Sequence, residues 1–298
     1  MYYPNLMTKE IPNIAYNSNH SKIEGVEIIL IEDLIKRSEN LDHFPEKLHQ
    51  LDFYLLAFYT QGETEHLVDF VWHKVKKNSL VYLAKGQVNA FKFKNDLKGF
   101  ILLFTKDYFD KQLKNLPKDT VKRLFIPQLF TPVVQVKENS NINRYIELTY
   151  NEYHIEKNDF NKNAIIDALH TIILSKAEQI KKDQTSYLKE SDKLLLFLKF
   201  KTLLEEEYAK NRKADSYAQK LNITYKHLNV ICKEITNKTI KNFISEFIIL
   251  EAKRKLINSS IKSTELSFLM GFEEPSNFVK FFKKHTGLTP NNFKSQYL

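Results

Sequence analysis

Residues 271–290 read Gly-Phe-Glu-Glu-Pro-Ser-Asn-Phe-Val-Lys-Phe-Phe-Lys-Lys-His-Thr-Gly-Leu-Thr-Pro. Gly271 follows a short apolar segment at 265–270, Glu-Leu-Ser-Phe-Leu-Met, and can take the positive φ that ends a helix. Pro275 is suited to the first turn of a new helix. Phe278, Phe281 and Phe282 fall at i, i+3 and i+4, which marks its buried stripe. Gly287 stops it, and Lys283, Lys284 and His285 in the last turn suit the helix dipole. Two short helices joined through a glycine turn read as a helix-turn-helix, with Ser276, Asn277 and Lys280 on the outward face of the second.

The pattern recurs upstream. Leu228, Ile231, Cys232, Lys233, Thr236, Thr239, Asn242 and Phe243 stand 50 positions before Phe278, Phe281, Phe282, Lys283, Thr286, Thr289, Asn292 and Phe293. Ahead of the turn the offset is 49, with Ala218, Leu221, Asn222 and Ile223 matching Ser267, Met270, Gly271 and Phe272. A fixed period over so many positions is a duplication. It gives two helix-turn-helix units in tandem.

This pair, and above all Gly-Phe-x-x-x-Ser-x-Phe-x-x-x-Phe-Lys-Lys-x-x-Gly-x-Thr-Pro, closely resembles the AraC/XylS family of bacterial transcription regulators over about residues 195–298. The resemblance implies an α+β chain: a cupin-like β-barrel with a helical dimerisation segment over 1–183, and an all-α tandem helix-turn-helix domain over 184–298. Position for position it places Tyr225, Lys226 and Asn229 of the first unit, and Pro275, Ser276, Asn277 and Lys280 of the second, against DNA. Asn can pair adenine and Lys can reach guanine acceptors. Val230 departs from the family, which often has a basic residue there; it would contact bases weakly or meet a thymine methyl. Lys233, Lys283 and Lys284 suit phosphates or plain solvent. Two units on one helix should meet successive major-groove segments about 34 Å apart. Further implied are a promoter as partner, RNA polymerase contact in an activator, a small-molecule effector, and a homodimer through 141–182.

Charge agrees with a polyanion ligand for the C-terminal part. Residues 191–298 carry 19 Lys and Arg against 11 Asp and Glu, a balance of +8. The rest of the chain carries 26 against 25. With 43% hydrophobic and 13% aromatic residues in 298, the chain can bury two cores. A single cysteine, Cys232, excludes a disulfide framework and a thiolate metal site, as suits the cytoplasm. No membrane span or signal-peptide pattern is visible.

From 26 to about 105 the signals are β: 26–31, 52–59, 67–75, 79–83, 89–93 and 99–104, with breaks at Gly62, Asn78, Gly86 and Asn95. Short strands so spaced suggest an antiparallel sandwich or barrel. The phrase 76–91 with 99–104 looks like the cupin-like barrel of AraC-type regulators, apart from Asn89, where many cupins have histidine. None of His20, His43, His49, His66 or His73 has a histidine at i+2. His66 and His73, seven apart on one regular strand, would face opposite sides. No metal, cofactor or catalytic group is therefore expected, and a cupin enzyme with a DNA tether, or an effector-independent DNA binder, stand as alternatives. The aromatic residues Phe53, Tyr54, Phe58, Phe70, Trp72, Tyr82, Phe91 and Phe93 could fill a core or line a pocket, so the effector site is open. Helices are expected over 107–116 and, after Pro117, Pro127 and Pro132 punctuate the chain, over 141–157 and 160–182. Ile166, Leu169, Ile173, Ala177 and Ile180 form a narrow apolar seam on the third, which either packs on the barrel or pairs with a second copy. A polar linker is expected over 181–190. Beyond it, a helix over 192–209 offers Leu195, Leu198, Leu203 and Leu204 for burial, Thr224 can N-cap the next recognition helix, and 242–257 reads as a central helix.

Overall fold

The computed structural model describes residues 10–17, 21–38, 43–114, 125, 131–156, 160–184 and 192–298. His20, Pro117, Pro127 and the later part of the expected linker lie outside them. The chain divides into two units, Asn13–Ser186 and Tyr187–Leu298, the second joined by the N-terminal Met1–Pro12.

The first unit is two stacked five-stranded sheets. One has the order β1 (Asn13–Ile14), β3 (His49–Leu51), β8 (Val88–Phe91), β5 (Glu63–Val68), β6 (Val71–Lys76). The other runs β10 (Val133–Gln135), β7 (Ser79–Leu83), β4 (Tyr54–Gln61), β9 (Lys98–Phe104), β2 (Val26–Leu30). Every ladder is antiparallel except β1 with β3. Alternation sorts the side chains of the second sheet. Leu55, Ala57, Tyr59, Val81, Leu83 and Ile101 face the first sheet and join Leu51, Val68, Val75 and Phe91 in one core. Ile28, Leu56, Phe58, Leu80, Tyr82, Leu102 and Phe104 face the other way, into a second core. That core is closed by α2 (Lys106–Leu113), α3 (Ile142–His154) and α4 (Lys162–Gln184). A strand covered on both faces must be apolar at consecutive positions, which is why β4 reads Leu-Leu-Ala-Phe-Tyr.

Three expectations are corrected and one open choice is decided. The alternating run 67–75 is not one strand. It turns at Asp69 and Phe70, both at positive φ (47° and 70°), and returns as β6. Asp69 fixes the turn: its carboxylate accepts from Gln87 Nε2 (2.7 Å) and the Val88 N–H (3.3 Å), and its own N–H donates to the Val88 carbonyl. His66 and His73 are consequently direct cross-strand partners on the same face. The seam on α4 does not face a second copy, because Ile166, Ile173, Ala177 and Ile180 are buried in their own unit's core. The helix also continues into the expected linker, and Lys181 is 3% exposed with its ammonium 3.8 Å from the Tyr82 ring centroid. A short helix without a clear signal in the sequence, α1 (Ile31–Arg37), directly continues β2.

The second unit is helical: α5 (Asp192–Glu207), α6 (Ala214–Lys220), α7 (Tyr225–Thr236), α8 (Ile240–Asn258), α9 (Ser263–Leu269), α10 (Pro275–Thr286) and α11 (Pro290–Tyr297). On α5 the buried residues are Leu194, Phe197, Phe200 and Leu204; of the expected set Leu204 is buried, whereas Leu195 is exposed and Leu198 and Leu203 are half-buried. The central helix α8 packs against α6, α7, α9, α10 and α11, so nine of its residues are buried and no single stripe emerges. Residues 10–12 also belong here rather than to the sheets. The Ile11 N–H donates to the Ile257 carbonyl (2.9 Å), and Glu10 accepts from the Ser260 N–H (2.6 Å).

Candidate nucleic-acid interface

The duplication read from sequence is repeated in hydrogen bonds. In the first helix-turn-helix the Ile223 N–H donates to the Ala218 carbonyl and the Asn222 N–H to that of Gln219; in the second, Phe272 donates to Ser267 and Gly271 to Phe268. The turn residues Asn222 and Gly271 lie at φ 55° and 77°. At the far ends of the recognition helices, the Asn237 and Gly287 N–H groups donate to Lys233 and Lys283, with φ 57° and 78°. Thr236 and Thr286 hydroxyls donate to the carbonyls four residues back, Cys232 and Phe282. Thr239 and Thr289 cap α8 and α11 alike. Thr224 caps α7 by accepting from the His227 N–H, and Pro275 opens α10.

From behind, each recognition helix is anchored by an apolar stripe. Leu228, Ile231 and Cys232 are buried on α7, and Phe278 and Phe282 on α10. Phe278 packs on Phe272 and Phe282, and Phe282 on Phe293. Burial pushes the Cys232 thiol up to about 11, so it packs as a small apolar side chain.

The outward faces carry the expected residues. Lys226, Ser276, Asn277 and Lys280 are exposed, and Tyr225 and Pro275 are half-buried at the helix starts. Val230 is 41% exposed. Lys226, Lys233, Lys280, Lys283 and Lys284 have no ion pair among the described residues, whereas Lys193, Lys201, Lys220 and Lys238 are closed off by Glu234, Glu205, Glu207 and Glu246. Exposed cations without a carboxylate partner on both recognition helices are available to phosphates.

Asn229 is different. It is half-buried, and its Oδ1 accepts from the Ile240 N–H at 3.1 Å, the first residue of α8. An asparagine that reads adenine needs both its oxygen and its amide nitrogen; here the oxygen is occupied. The second helix-turn-helix shows why. Fifty residues on, Ile240 becomes Pro290, which has no N–H, and Asn229 becomes Val279. Where the donor is absent the acceptor is absent. Sequence reasoning missed this role, although the Asn229/Ile240 to Val279/Pro290 exchange is visible in the repeat.

A second feature lies in the sheet unit. A cavity of about 390 Å³ opens between the two sheets beside α1. Phe53 and Phe91 from the aromatic set line it, while Tyr54, Phe58 and Tyr82 are core. Phe93 packs on the inner core, and Trp72 is exposed on the β5–β6 hairpin. His49 borders the cavity at 2% exposure; its Nδ1–H donates to the Lys47 carbonyl (2.9 Å), and burial lowers its pKa to about 4. Burial holds His66, packed 4.2 Å from Phe91, at about 3. Both are neutral imidazoles at physiological pH. Among the described residues no three His, Cys, Asp or Glu side chains are placed to hold a metal ion, and no helix is long and apolar enough to cross a membrane.

The C-terminal geometry defines a DNA-binding domain of the tandem helix-turn-helix class. A family model described as a helix-turn-helix domain matches residues 217–296. An uncharacterized HTH-type transcriptional regulator in the cgkA 5' region of Pseudoalteromonas carrageenovora is 34% identical over 94 residues, 32% of this chain and 55% of that protein. The Msm operon regulatory protein of Streptococcus mutans is 27% identical over 96 residues, covering 32% of this chain and 34% of the relative. The uncharacterized HTH-type transcriptional regulator YijO of Escherichia coli is 22% identical over 262 residues, 85% of each chain. The chain thus spans about half the length of the first relative and a third of the second.

Proposed function

We propose that this protein is a sequence-specific, cytoplasmic transcription regulator that acts as an activator, binding promoter DNA through α7 and α10 and engaging RNA polymerase. The observation that carries the reading is the pair of recognition helices, alike in the hydrogen bonds of their turns and C-terminal ends, fixed to one spine and carrying unpaired lysines. Lys226 and the methyls of Val230 read the first major-groove segment, and Ser276, Asn277 and Lys280 the second. Tyr225 and Pro275 position the helix starts. Asn229 holds α7 to α8 and reaches DNA only through its amide nitrogen.

The sheet unit serves as effector sensor and dimerisation module. Its cavity supports the sensor reading over an effector-independent binder, for which a filled interior would be expected. Self-association uses the outer faces of α3 and α4, where Leu148 on α3, Ile155 just past its end, and Ile165 and Ile172 at i, i+7 on α4 are exposed. The protein carries out no catalysis in this reading.

The test is recovery of bound fragments from genomic DNA, with a salt titration on the best fragment. A recurring motif with half-sites about one helical turn apart, and affinity falling steeply with salt, is expected. Lys226→Ala and Asn277→Ala should each cost about 1–3 kcal/mol and relax preference only at their own segment. Equal weakening on every sequence would remove the base-reading role.

A further inference from the structure

In the sheet unit β6 ends one sheet and β10 the other, and a groove of about 830 Å³ lies between these two edges. The β5–β6 hairpin decides which main-chain groups face outward. Asp69 and Phe70, both left-handed, make a two-residue loop, so Val68 and Val71 form the first hydrogen-bonded pair. Bonded and non-bonded pairs then alternate along the ladder. His66 with His73 and Thr64 with Val75 are bonded, while Trp72, Lys74 and Lys76 turn their N–H and C=O groups away from β5. The Lys76 N–H is taken by the Ser79 hydroxyl at 3.0 Å. Those of Trp72 and Lys74 have no partner among the described residues.

The side chains of this edge are sorted by face. Trp72, Lys74 and Lys76 are exposed in a row on the outer face, whereas Val75 is buried and His73 half-buried on the inner one. Four lysines line the groove, Lys74, Lys76, Lys92 and Lys94, against two carboxylates, Glu63 and Glu65. Lys92 is satisfied by Glu65 at 2.6 Å and lies 4.3 Å from the Trp72 ring centroid. Lys74, Lys76 and Lys94 have no ion pair among the described residues. We propose that the β6 edge docks an extended acidic segment of a partner protein. The segment adds to the sheet as one more strand, its carboxylates opposite Lys74 and Lys76 and its alternate, apolar side chains toward Val75 and the Val133 side of the groove.

Other occupants match less of the edge. Two copies of this chain set edge to edge bring Lys74 and Lys76 of both together. A nucleic acid suits the lysines but sets its phosphates against the outward carbonyls of Trp72 and Lys74, acceptor against acceptor. The two longest stretches of the chain outside the described residues are themselves net basic: 1–9 carries Lys9, and 115–124 carries Lys118, Lys122 and Arg123 against Asp119. Edge lysines repel most strands. An acidic strand is the one they attract, so the edge is selective rather than closed.

Fluorescence anisotropy on the full chain tests this with a labelled peptide of four Val-Glu repeats. The comparators are a peptide of four valines followed by four glutamates, an octamer of glutamate, and four Val-Lys repeats. The alternating acidic peptide should bind at least about tenfold tighter than each. N-methylation of one alternate set of its amides should cost about tenfold and of the other set little, because only one edge of an added strand faces β6. Lys74→Glu with Lys76→Glu, both at exposed positions, should abolish Val-Glu binding and admit Val-Lys. In the unaltered protein, hydrogen exchange of the Trp72 and Lys74 amides should slow at least about tenfold on binding, which a contact through side chains alone does not produce. No peptide binding, equal binding of the glutamate octamer, equal effects of the two methylation patterns, or unprotected Trp72 and Lys74 amides would each overturn the assignment. So would loss of peptide binding in Lys226→Ala with Lys280→Ala, which would place the peptide on the recognition helices. If Lys74→Glu with Lys76→Glu weakens a random duplex oligonucleotide as much as the peptide, the groove is a polyanion surface and the strand is not its occupant.

Discussion

Asn222 and Gly271 occupy the same place in the two helix-turn-helix units, with the same hydrogen bonds and left-handed backbones at φ 55° and 77°. Their surroundings are unlike. Asn222 is exposed, while a Cβ added to Gly271 would lie 1.8 Å from the Ala209 carbonyl oxygen and 2.7 Å from its carbon. Beside it the Arg212 guanidinium lies 3.8 Å over the Phe272 ring, where the first unit has Ile223. The duplicated motif therefore has one turn open to solvent and one clamped by the chain that comes after α5. A repeat preserves its internal hydrogen bonds because they are local. Its environment is free to diverge.

The largest expected effect comes from that clamp. Gly271→Ala combines an unfavourable φ with backbone that cannot yield, and should cost about 4 kcal/mol or more, seen as a large fall in the denaturation midpoint and loss of DNA binding. Asn222→Ala, with no such wall, should cost about 1 kcal/mol. Equal costs in the two units would mean that the clamp contributes nothing. Next comes the lock between α7 and α8. Asn229→Ala leaves the Ile240 N–H without its acceptor and should cost about 1–2 kcal/mol. Transplanting the second unit's solution, Asn229→Val with Ile240→Pro, should recover most of it, which a double-mutant cycle on urea unfolding measures directly. No recovery would show that the exchange between the repeats is coincidental.

What was legible in the chain was local. The caps at Thr224 and Pro275, the stop at Gly287 and the phenylalanine stripe all depend on neighbours within four residues, and the structure has them where the spacing puts them, with Phe278 and Phe282 buried and Phe281 half-buried. The misreadings have one physical source, surroundings that lie elsewhere in the chain. The 69–70 turn contains no Gly and no Asn; it is imposed by Gln87 and Val88. Both α4 and α5 are apolar on more than one side, with Ile165 beside Ile166, Ile172 beside Ile173, and Leu194 to Leu198 in an unbroken run. Periodicity then cannot say which side meets the core. Of the candidate site, the exposed contacts were readable, but Asn229 was not, because the residue that engages it stands eleven positions later.

The smallest effect is the cleanest control on the comparison. Gly287 closes α10 at φ 78°, within a degree of Gly271, yet a Cβ there would meet nothing within 4 Å. Its counterpart Asn237 already shows that a side chain is tolerated at this place, at φ 57°. Gly287→Ala should therefore cost only the backbone term, about 1 kcal/mol, and Gly287→Asn less, since asparagine enters the left-handed region more readily. Subtracting the Gly287→Ala cost from that of Gly271→Ala isolates the steric contribution of the Ala209 carbonyl at constant φ. If the two substitutions cost the same, the destabilisation at Gly271 is conformational and its close approach to Ala209 is not what distinguishes the second unit from the first.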